Sequence, residues 1–441
     1  MPSNQGANAA ADWAGSGVVA LTGHPGGSPL MPPGDAATLA RRIGHRLAAA
    51  TEDTEHPVRV DGAALLGERA ASAGLERRGP VSAGGACRLL PTADGWAAVS
   101  CARPDDPLLL GALVGAELPG DVWPPVAAWL RTHSGAELAE RAALLGLAAA
   151  PVAGRKQPGA PLLPLPGRPR PVEGLLVVDF SALWAGPLCA HLLGLAGARV
   201  IKVETPQRLD GARRANRAFY RLLHAGHRSV LLDPATPAGR RAVSALVDSA
   251  DIVIEASRPR ALARFGLDAP AIADRGAIWV SITADGRDSA RVGFGDDVTA
   301  GAGLVALDGT GEPVFCGDAL ADPLTGLVAA ELALSAPEHG RGRLFDVAMS
   351  GVIAATLAET RASAGAATLA ETRESAGAAT LAETRASAAP AARRAGAGWV
   401  VDTPAGPVAV AAPRHRAATG HAPEPGEHTA EVLRALRIPV P

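Results

Sequence analysis

The chain has 441 residues, 48% of them hydrophobic and 20% charged, with a formal net charge of −2. That length buries a large core and favours two lobes over one, and the near-neutral balance gives no general attraction to nucleic acid. No run of ~18 or more uncharged apolar residues, the length of a membrane span, appears, and Met1–Ala11 lacks the basic start and apolar stretch of a secretory signal.

Residues 1–155 read as a smaller α+β lobe. They are also expected to be a partial second copy of the large domain, because Ser16–Gly23 (SGVVALTG) is similar to Ala302–Gly309 (AGLVALDG). Lys156–Pro171 is dense in proline and reads as a linker over 156–172. From residue 173 to 352, strand and helix patterns alternate. Leu175–Phe180 is a short apolar run suited to a buried strand, and Leu188–Leu195 reads as a helix that Gly197 is placed to end. Arg199–Val203 and Ser229–Leu232 are strand-like. Thr236 and Pro237 open a helix reaching Ser249, with Thr as cap and Pro in the first turn. Asp251–Glu255 and Ile278–Thr283 add further strands. Strands separated by helices predict an α/β fold, a Rossmann-like parallel sheet flanked by helices. Ligands of such sheets bind beyond the carboxyl ends of the strands, which directs attention to the loops after Phe180, Val203, Glu255 and Thr283. Ala354–Ala389 is a nearly perfect threefold repeat of AATLAETR(A/E)SAG, its last unit ending in Ala389. With its flanks (353–392) it is expected to be one exposed Ala-rich helix lengthened by duplication, the alternative being a partner-binding helix. Residues 393–441 are expected to return to the large domain.

The basic charge is nearly all arginine, since Lys156 and Lys202 are the only lysines. Arg208, Arg213, Arg214, Arg217, Arg221 and Arg228 cluster, and arginine forks suit phosphate oxygens; the competing reading is a solvated face. Cys87, Cys101, Cys189 and Cys316 lie far apart without CxxC spacing, which fits reduced cytoplasmic thiols. The sequence holds no GxxxxGK[ST] loop, no GxGxxG after a strand and no GxSxG elbow. His224 and His227 are spaced like metal ligands, but no helix bearing a carboxylate or cysteine supports them, so no metal is expected.

Glu173–Glu204 (EGLLVVDFSALWAGPLCAHLLGLAGARVIKVE) resembles the opening of the family III CoA-transferases, the CaiB/BaiF family that includes formyl-CoA and carnitine CoA-transferases. Four further segments resemble family signatures in the family's order: His224–Asp233, Ala250–Leu267, Gly340–Gly351 and Gly426–Leu433. The resemblance implies transfer of coenzyme A between an acyl-CoA and a carboxylic acid, with an aspartate as nucleophile. That residue falls in Cys316–Leu327 (CGDALADPLTGL), on Asp322. Asp318 is a competitor, and a plain helix-capping role for Asp322 ahead of Pro323 is the alternative. Coenzyme A contacts carry over to Trp184, Ala185, Thr205, Leu232, Asp233, Ser257, Arg258, Arg264, Phe294, Gly295 and Asp296. The same resemblance implies coenzyme A and acyl-CoA as substrates with no permanently bound cofactor, and an interlocked homodimer, while the cysteines, charge and hydropathy above lead to the expectation of a cytoplasmic protein without nucleic-acid or membrane partners.

A carboxylate suits this chemistry because it attacks a thioester carbonyl without needing a base. The intermediates hydrolyse readily, so the site must exclude water. Backbone N–H groups are the expected oxyanion stabilisers, with Gly23–Gly27 or Gly84–Gly85 as candidate donors. Three positions depart from formyl-CoA transferases: Trp184 replaces a glutamine, Thr205 an arginine, and His227 a lysine. The bulk of Trp184 argues against formate and oxalate. Thr92–Asp106 resembles a small-domain segment that normally follows the large domain, so the order of parts looks permuted. Two rival functions remain: acyl-CoA racemisation or isomerisation, disfavoured because Val292–Gly303 holds no histidine, and a degenerate subunit that binds CoA esters.

Overall fold

The computed structural model describes residues 5–153, 163–256, 259–357 and 390–441. Ser257, Arg258 and most of the repeated segment lie outside the described residues.

Cys87–Pro91 (β1) and Trp96–Ser100 (β2) form a hairpin, and Ala149–Pro151 (β3) pairs antiparallel with β2. Helices Asp106–Val114, Trp123–Leu130 and Gly135–Leu145 close over this sheet around Val99, Leu110, Val126, Leu130 and Leu138. The third of them starts on a capping box, in which Ser134 and Glu137 satisfy each other's backbone N–H groups. The segment ahead of the hairpin packs elsewhere. Helices Gln5–Ser16 and Ala36–Ala50 send Trp13, Ala40 and Ile43 into the main core of the molecule. Residues 1–155 therefore divide between two cores. The two similar octapeptides also differ locally: Val19–Leu21 is a 3-10 turn, whereas Val305–Leu307 (β9) is a strand paired with Pro313–Phe315 (β10).

The apolar runs after the linker become one parallel sheet. Its strands are Leu176–Asp179 (β4), Arg199–Glu204 (β5), Arg228–Leu231 (β6), Ile252–Glu255 (β7), Ile278–Thr283 (β8) and Arg343–Ala348 (β11). The spatial order is β11-β8-β7-β4-β5-β6, and every neighbouring pair is parallel. Numbered in chain order and taken from the β6 edge, that is the 3-2-1-4-5-6 order of the doubly wound fold, with its reversal between β4 and β7. Alternate residues of each strand enter opposite cores, as strand pleating requires. Val177, Val200 and Ile254 pack with Leu188, Leu192 and Leu327; Val178, Ile201 and Val253 pack with Val243, Leu246 and Leu433. Burial of each such side chain contributes about 1.5–3 kcal/mol, which is why the strands read as nearly unbroken apolar runs. Thr236 caps helix Pro237–Asp248 by accepting from Gly239 N–H at 3.0 Å.

The C-terminal segment folds back over the rest. Arg393–Ala395 (β12), Gly398–Thr403 (β13) and Gly406–Ala409 (β14) form an antiparallel sheet. Helix Thr429–Ala435 docks beside β6, where His428 N–H donates to Ser229 O at 2.9 Å. Among the described residues no helix is long and apolar enough to cross a membrane.

Candidate active site

Helix Ala321–Ala333 feeds β11, so its first turn opens at the carboxyl edge of the sheet. It crosses helix Ala185–Leu195 at Gly326, where an added Cβ would come within 2.6 Å of Ala185 O. Asp322 sits inside the first turn, one residue past Ala321, and Leu320 holds the cap position. Its carboxylate accepts no hydrogen bond from the described residues. The capping role considered for it is thereby corrected: Asp322 is an uncommitted carboxyl.

The turn leading to it is wound tightly. Gly317 has φ 64° and Ala319 has φ 47°, a left-handed backbone that a non-glycine residue adopts only when its surroundings impose it. Those surroundings are visible. Ala319 N–H donates to Asp296 Oδ1 at 2.9 Å, and Ala319 O accepts from Asp322 N–H at 2.9 Å. Gly295 presses against this turn so closely that a Cβ there would lie 2.2 Å from Asp322 Oδ2. The Phe294–Asp296 loop and Asp322, expected to share a site, are brought together by this contact.

A second layer comes from the N-terminal region. Arg69, on helix Glu68–Ala73, grips both oxygens of the fully buried Asp318, with Nε at 2.8 Å and Nη2 at 2.6 Å. Asp318, the competitor for the nucleophile's role, is committed to that fork. The Arg69 guanidinium lies 5.1 Å from the ring centre of Trp184. Trp184 is buried, meets Phe219 edge-on at 5.3 Å, and leaves its indole N–H without a partner among the described residues. Gly84 stands beside Arg69, its added Cβ falling 3.8 Å from Nη2. The Gly23–Gly27 loop instead uses the carbonyls of His24 and Gly27 to hold Arg77.

Three carboxyls here are displaced towards neutrality. Burial pushes Asp322 up to about 7, with Arg69 opposing and Asp296, Asp318 and Asp297 adding to the rise. Burial, then Asp318, pushes Asp296 up to about 6 against Arg69. Burial also pushes Asp297 up to about 6 against Arg291, although Asp297 accepts from Ser100 Oγ at 3.0 Å and Phe294 N–H at 2.8 Å. Such crowding of raised carboxyls is typical of sites that use them chemically.

The remaining expected contacts spread along the same edge. Ala185 is buried at the helix crossing. Thr205 and Asp233 follow β5 and β6 and are partly exposed, Asp233 Oδ1 accepting from Ala235 N–H at 3.0 Å. The Leu232 side chain is committed to the core beside Val243. Arg264 is exposed and makes no ion pair with the described residues. Thr205, Leu232 and Asp233 follow β5 and β6, which form the opposite half of the sheet from β8 and β11. In the arginine cluster, Arg213 pairs with Glu204 at 2.6 Å, Arg217 with Glu424 and Arg228 with Glu431. Arg208, Arg214 and Arg221 are exposed and without such partners among the described residues. His224 and His227 are buried with Nδ1 atoms 3.4 Å apart, and burial followed by Lys202 holds both below the ordinary histidine range.

Sequence reasoning missed Arg69. It lies 249 residues from Asp318, in a segment without a recognisable motif.

The chain matches the model of CoA-transferase family III over residues 172–428, more than half its length. It is 32% identical over 218 residues to the succinate–glutarate CoA-transferase of Agrobacterium fabrum, covering 44% of this chain and 54% of that protein. It is 32% identical over 205 residues to the succinyl-CoA–D-citramalate CoA-transferase of Chloroflexus aurantiacus, covering 42% and 51%. The chain thus spans about half the length of the curated relatives it matches. Among solved structures, a hypothetical protein from Mycobacterium tuberculosis aligns at 28% identity with a TM-score of 0.42, covering 53% of this chain and 66% of that one.

Proposed function

As this chain belongs to CoA-transferase family III, we propose that it moves coenzyme A between an acyl-CoA and a carboxylic acid through an aspartyl-CoA thioester on Asp322. The observation that carries this reading is a carboxyl free of hydrogen bonds from the described residues, set in a helix's first turn at the sheet's ligand-binding edge.

An oxygen of ionised Asp322 attacks the thioester carbonyl carbon. The C–S bond breaks, coenzyme A leaves as its thiolate, and a mixed anhydride remains. The thiolate then attacks the Asp322 carbonyl, releases the acyl group as a carboxylate and leaves the aspartyl-CoA thioester. An acceptor carboxylate runs the two steps in reverse. No net proton moves, so no histidine partner is needed. A carboxylate with a raised pKa is also the better nucleophile once ionised, by the usual Brønsted relation. Trp184 supplies an apolar wall that limits water near the anhydride, and the Gly295 backbone lies so close that an added Cβ would fall 2.2 Å from Asp322 Oδ2. The strongest charges acting on Asp322 are Arg69, Asp296, Asp318 and Asp297, none of them a histidine, which supports transfer over a two-base racemase. Family membership also supports a cytoplasmic homodimer.

The test is covalent trapping. The protein is incubated with an acyl-CoA panel, quenched with hydroxylamine or borohydride, and mapped by mass spectrometry. Modification at Asp322 that Asp322→Ala abolishes is the expected result. Exchange of the α-proton without trapping would indicate isomerisation, and neither signal across a broad panel would falsify the enzyme reading.

A further inference from the structure

We infer that Asp296 and Thr299, both on helix Gly295–Gly301, are positioning residues that lock the turn carrying Asp322 and so aim its carboxyl for attack. The inference rests on Asp322 being the nucleophile.

The turn leading to Asp322 is fastened from outside. Arg69 holds the Asp318 side chain through Nε at 2.8 Å and Nη2 at 2.6 Å. Asp296 Oδ1 accepts from Ala319 N–H at 2.9 Å. The buried Thr299 Oγ1 accepts from Ala321 N–H at 2.9 Å and donates to Gly295 O at 2.5 Å. The two backbone bonds bracket Leu320 and account for Ala319 at φ 47°, a conformation that a residue with a Cβ leaves when nothing imposes it. Ala319 O then accepts from Asp322 N–H at 2.9 Å, so the residue that Asp296 fixes is the one on which Asp322 closes its own backbone hydrogen bond. The helix that supplies both acceptors is itself anchored: Asp297 accepts from Phe294 N–H at 2.8 Å and from Ser100 Oγ on β2 at 3.0 Å. The same helix brings Gly295 so close that an added Cβ would fall 2.2 Å from Asp322 Oδ2. One anchored element therefore sets both the backbone of the turn and a limit on where the carboxylate can lie. A bond needed only for folding would serve as well elsewhere along helix Ala321–Ala333. These two fall on the turn that presents the group which must line up with a thioester carbon.

The experiment measures the rate of hydroxylamine trapping at Asp322 in the intact protein across a succinyl-CoA concentration series, at pH 8, above the value of about 7 to which Asp322 is raised. Asp296→Ala should lower the maximal rate about 100-fold, the order expected of a reacting group misplaced by ~1 Å, and leave the half-saturating concentration within about threefold. Asp296→Asn, which keeps an acceptor oxygen for Ala319 N–H, should recover at least about tenfold of that loss. Thr299→Val should lower the maximal rate by at least about tenfold, and Thr299→Ser, which keeps the hydroxyl, should restore it. A maximal rate within about threefold of wild type in Asp296→Ala overturns the inference. So does a change confined to the half-saturating concentration, the signature of a coenzyme A contact. Equal losses in Asp296→Asn and Asp296→Ala overturn it too, since the charge and not the hydrogen bond would then matter. If Asp296→Ala fails to fold, as judged by circular dichroism, the Thr299 pair decides: equal maximal rates in Thr299→Val and Thr299→Ser overturn the inference. Absence of trapping in the wild type would instead remove the nucleophile reading and the inference with it, a result distinct from all of these.

Discussion

Lys202 places Nζ 2.9 Å from Asp210 Oδ2 with both side chains sealed from solvent. The same ammonium donates to Ser181 O and faces Asp179 at 3.8 Å. Asp210 Oδ1 in turn accepts from Leu183 N–H at 3.1 Å, and Leu183 is held at φ 71°. One buried cation thus ties the loop after β4 to the loop after β5 and sets the backbone just ahead of Trp184. Its cost in desolvation is met because these three oxygens surround the ammonium.

Lys202→Met should therefore destabilise the protein by about 3–5 kcal/mol, since Asp179 and Asp210 would be left buried without their cation. Denaturant unfolding checks this. A loss below about 1 kcal/mol would show that the network contributes little.

Gly295→Ala tests the close approach at the site. Its Cβ would fall 2.2 Å from Asp322 Oδ2, 2.5 Å from Ala319 Cβ and 2.6 Å from Ala319 O, so the turn must shift to admit it. A misplacement near 1 Å costs roughly 100-fold in rate. Acyl transfer should fall by about that factor while the far-ultraviolet spectrum stays native. Activity within about threefold of wild type would mean that Asp322 tolerates displacement.

Much of the sheet was legible because a strand buried on both faces is a nearly continuous apolar run, as in Leu176–Val178 and Ile278–Val280. Thr236 announced its helix because a cap needs only its own and the next few residues. Asp322 was singled out from ordered family motifs, since its local sequence is equally that of a cap, and the folded chain puts Leu320 at the cap position instead. Arg69 was invisible for a physical reason: a salt bridge across 249 residues leaves no local pattern. Leu232 shows the limit of motif matching in another way: its position falls in a ligand segment while its side chain packs the core, which leaves only its backbone for a ligand.

Trp184→Ala should cost about 3–5 kcal/mol, as expected for emptying a large buried site. Trp184→Phe should cost much less, because the indole N–H it removes has no partner to lose among the described residues. Both can be read from unfolding midpoints. Equal losses for the two would imply a hydrogen bond to that nitrogen.

Stability should depend on pH through the raised carboxyls. Asp322 rises from 3.8 to about 7, and Asp296 and Asp297 from 3.8 to about 6. Between the unfolded and folded values the native state binds more protons than the unfolded chain. The slope of unfolding free energy with pH is therefore negative, and these groups lower stability as pH rises from about 4 to about 7. Asp322→Asn removes one share of this. Its stability advantage over wild type should grow between about pH 5 and 7, by an amount on the order of 1 kcal/mol per pH unit, and level off above. Denaturant melts at pH 5, 6, 7 and 8 would show it. An advantage constant across that range would mean that Asp322 titrates in its ordinary range, and its place among Asp296, Asp297 and Asp318 would then carry no electrostatic strain.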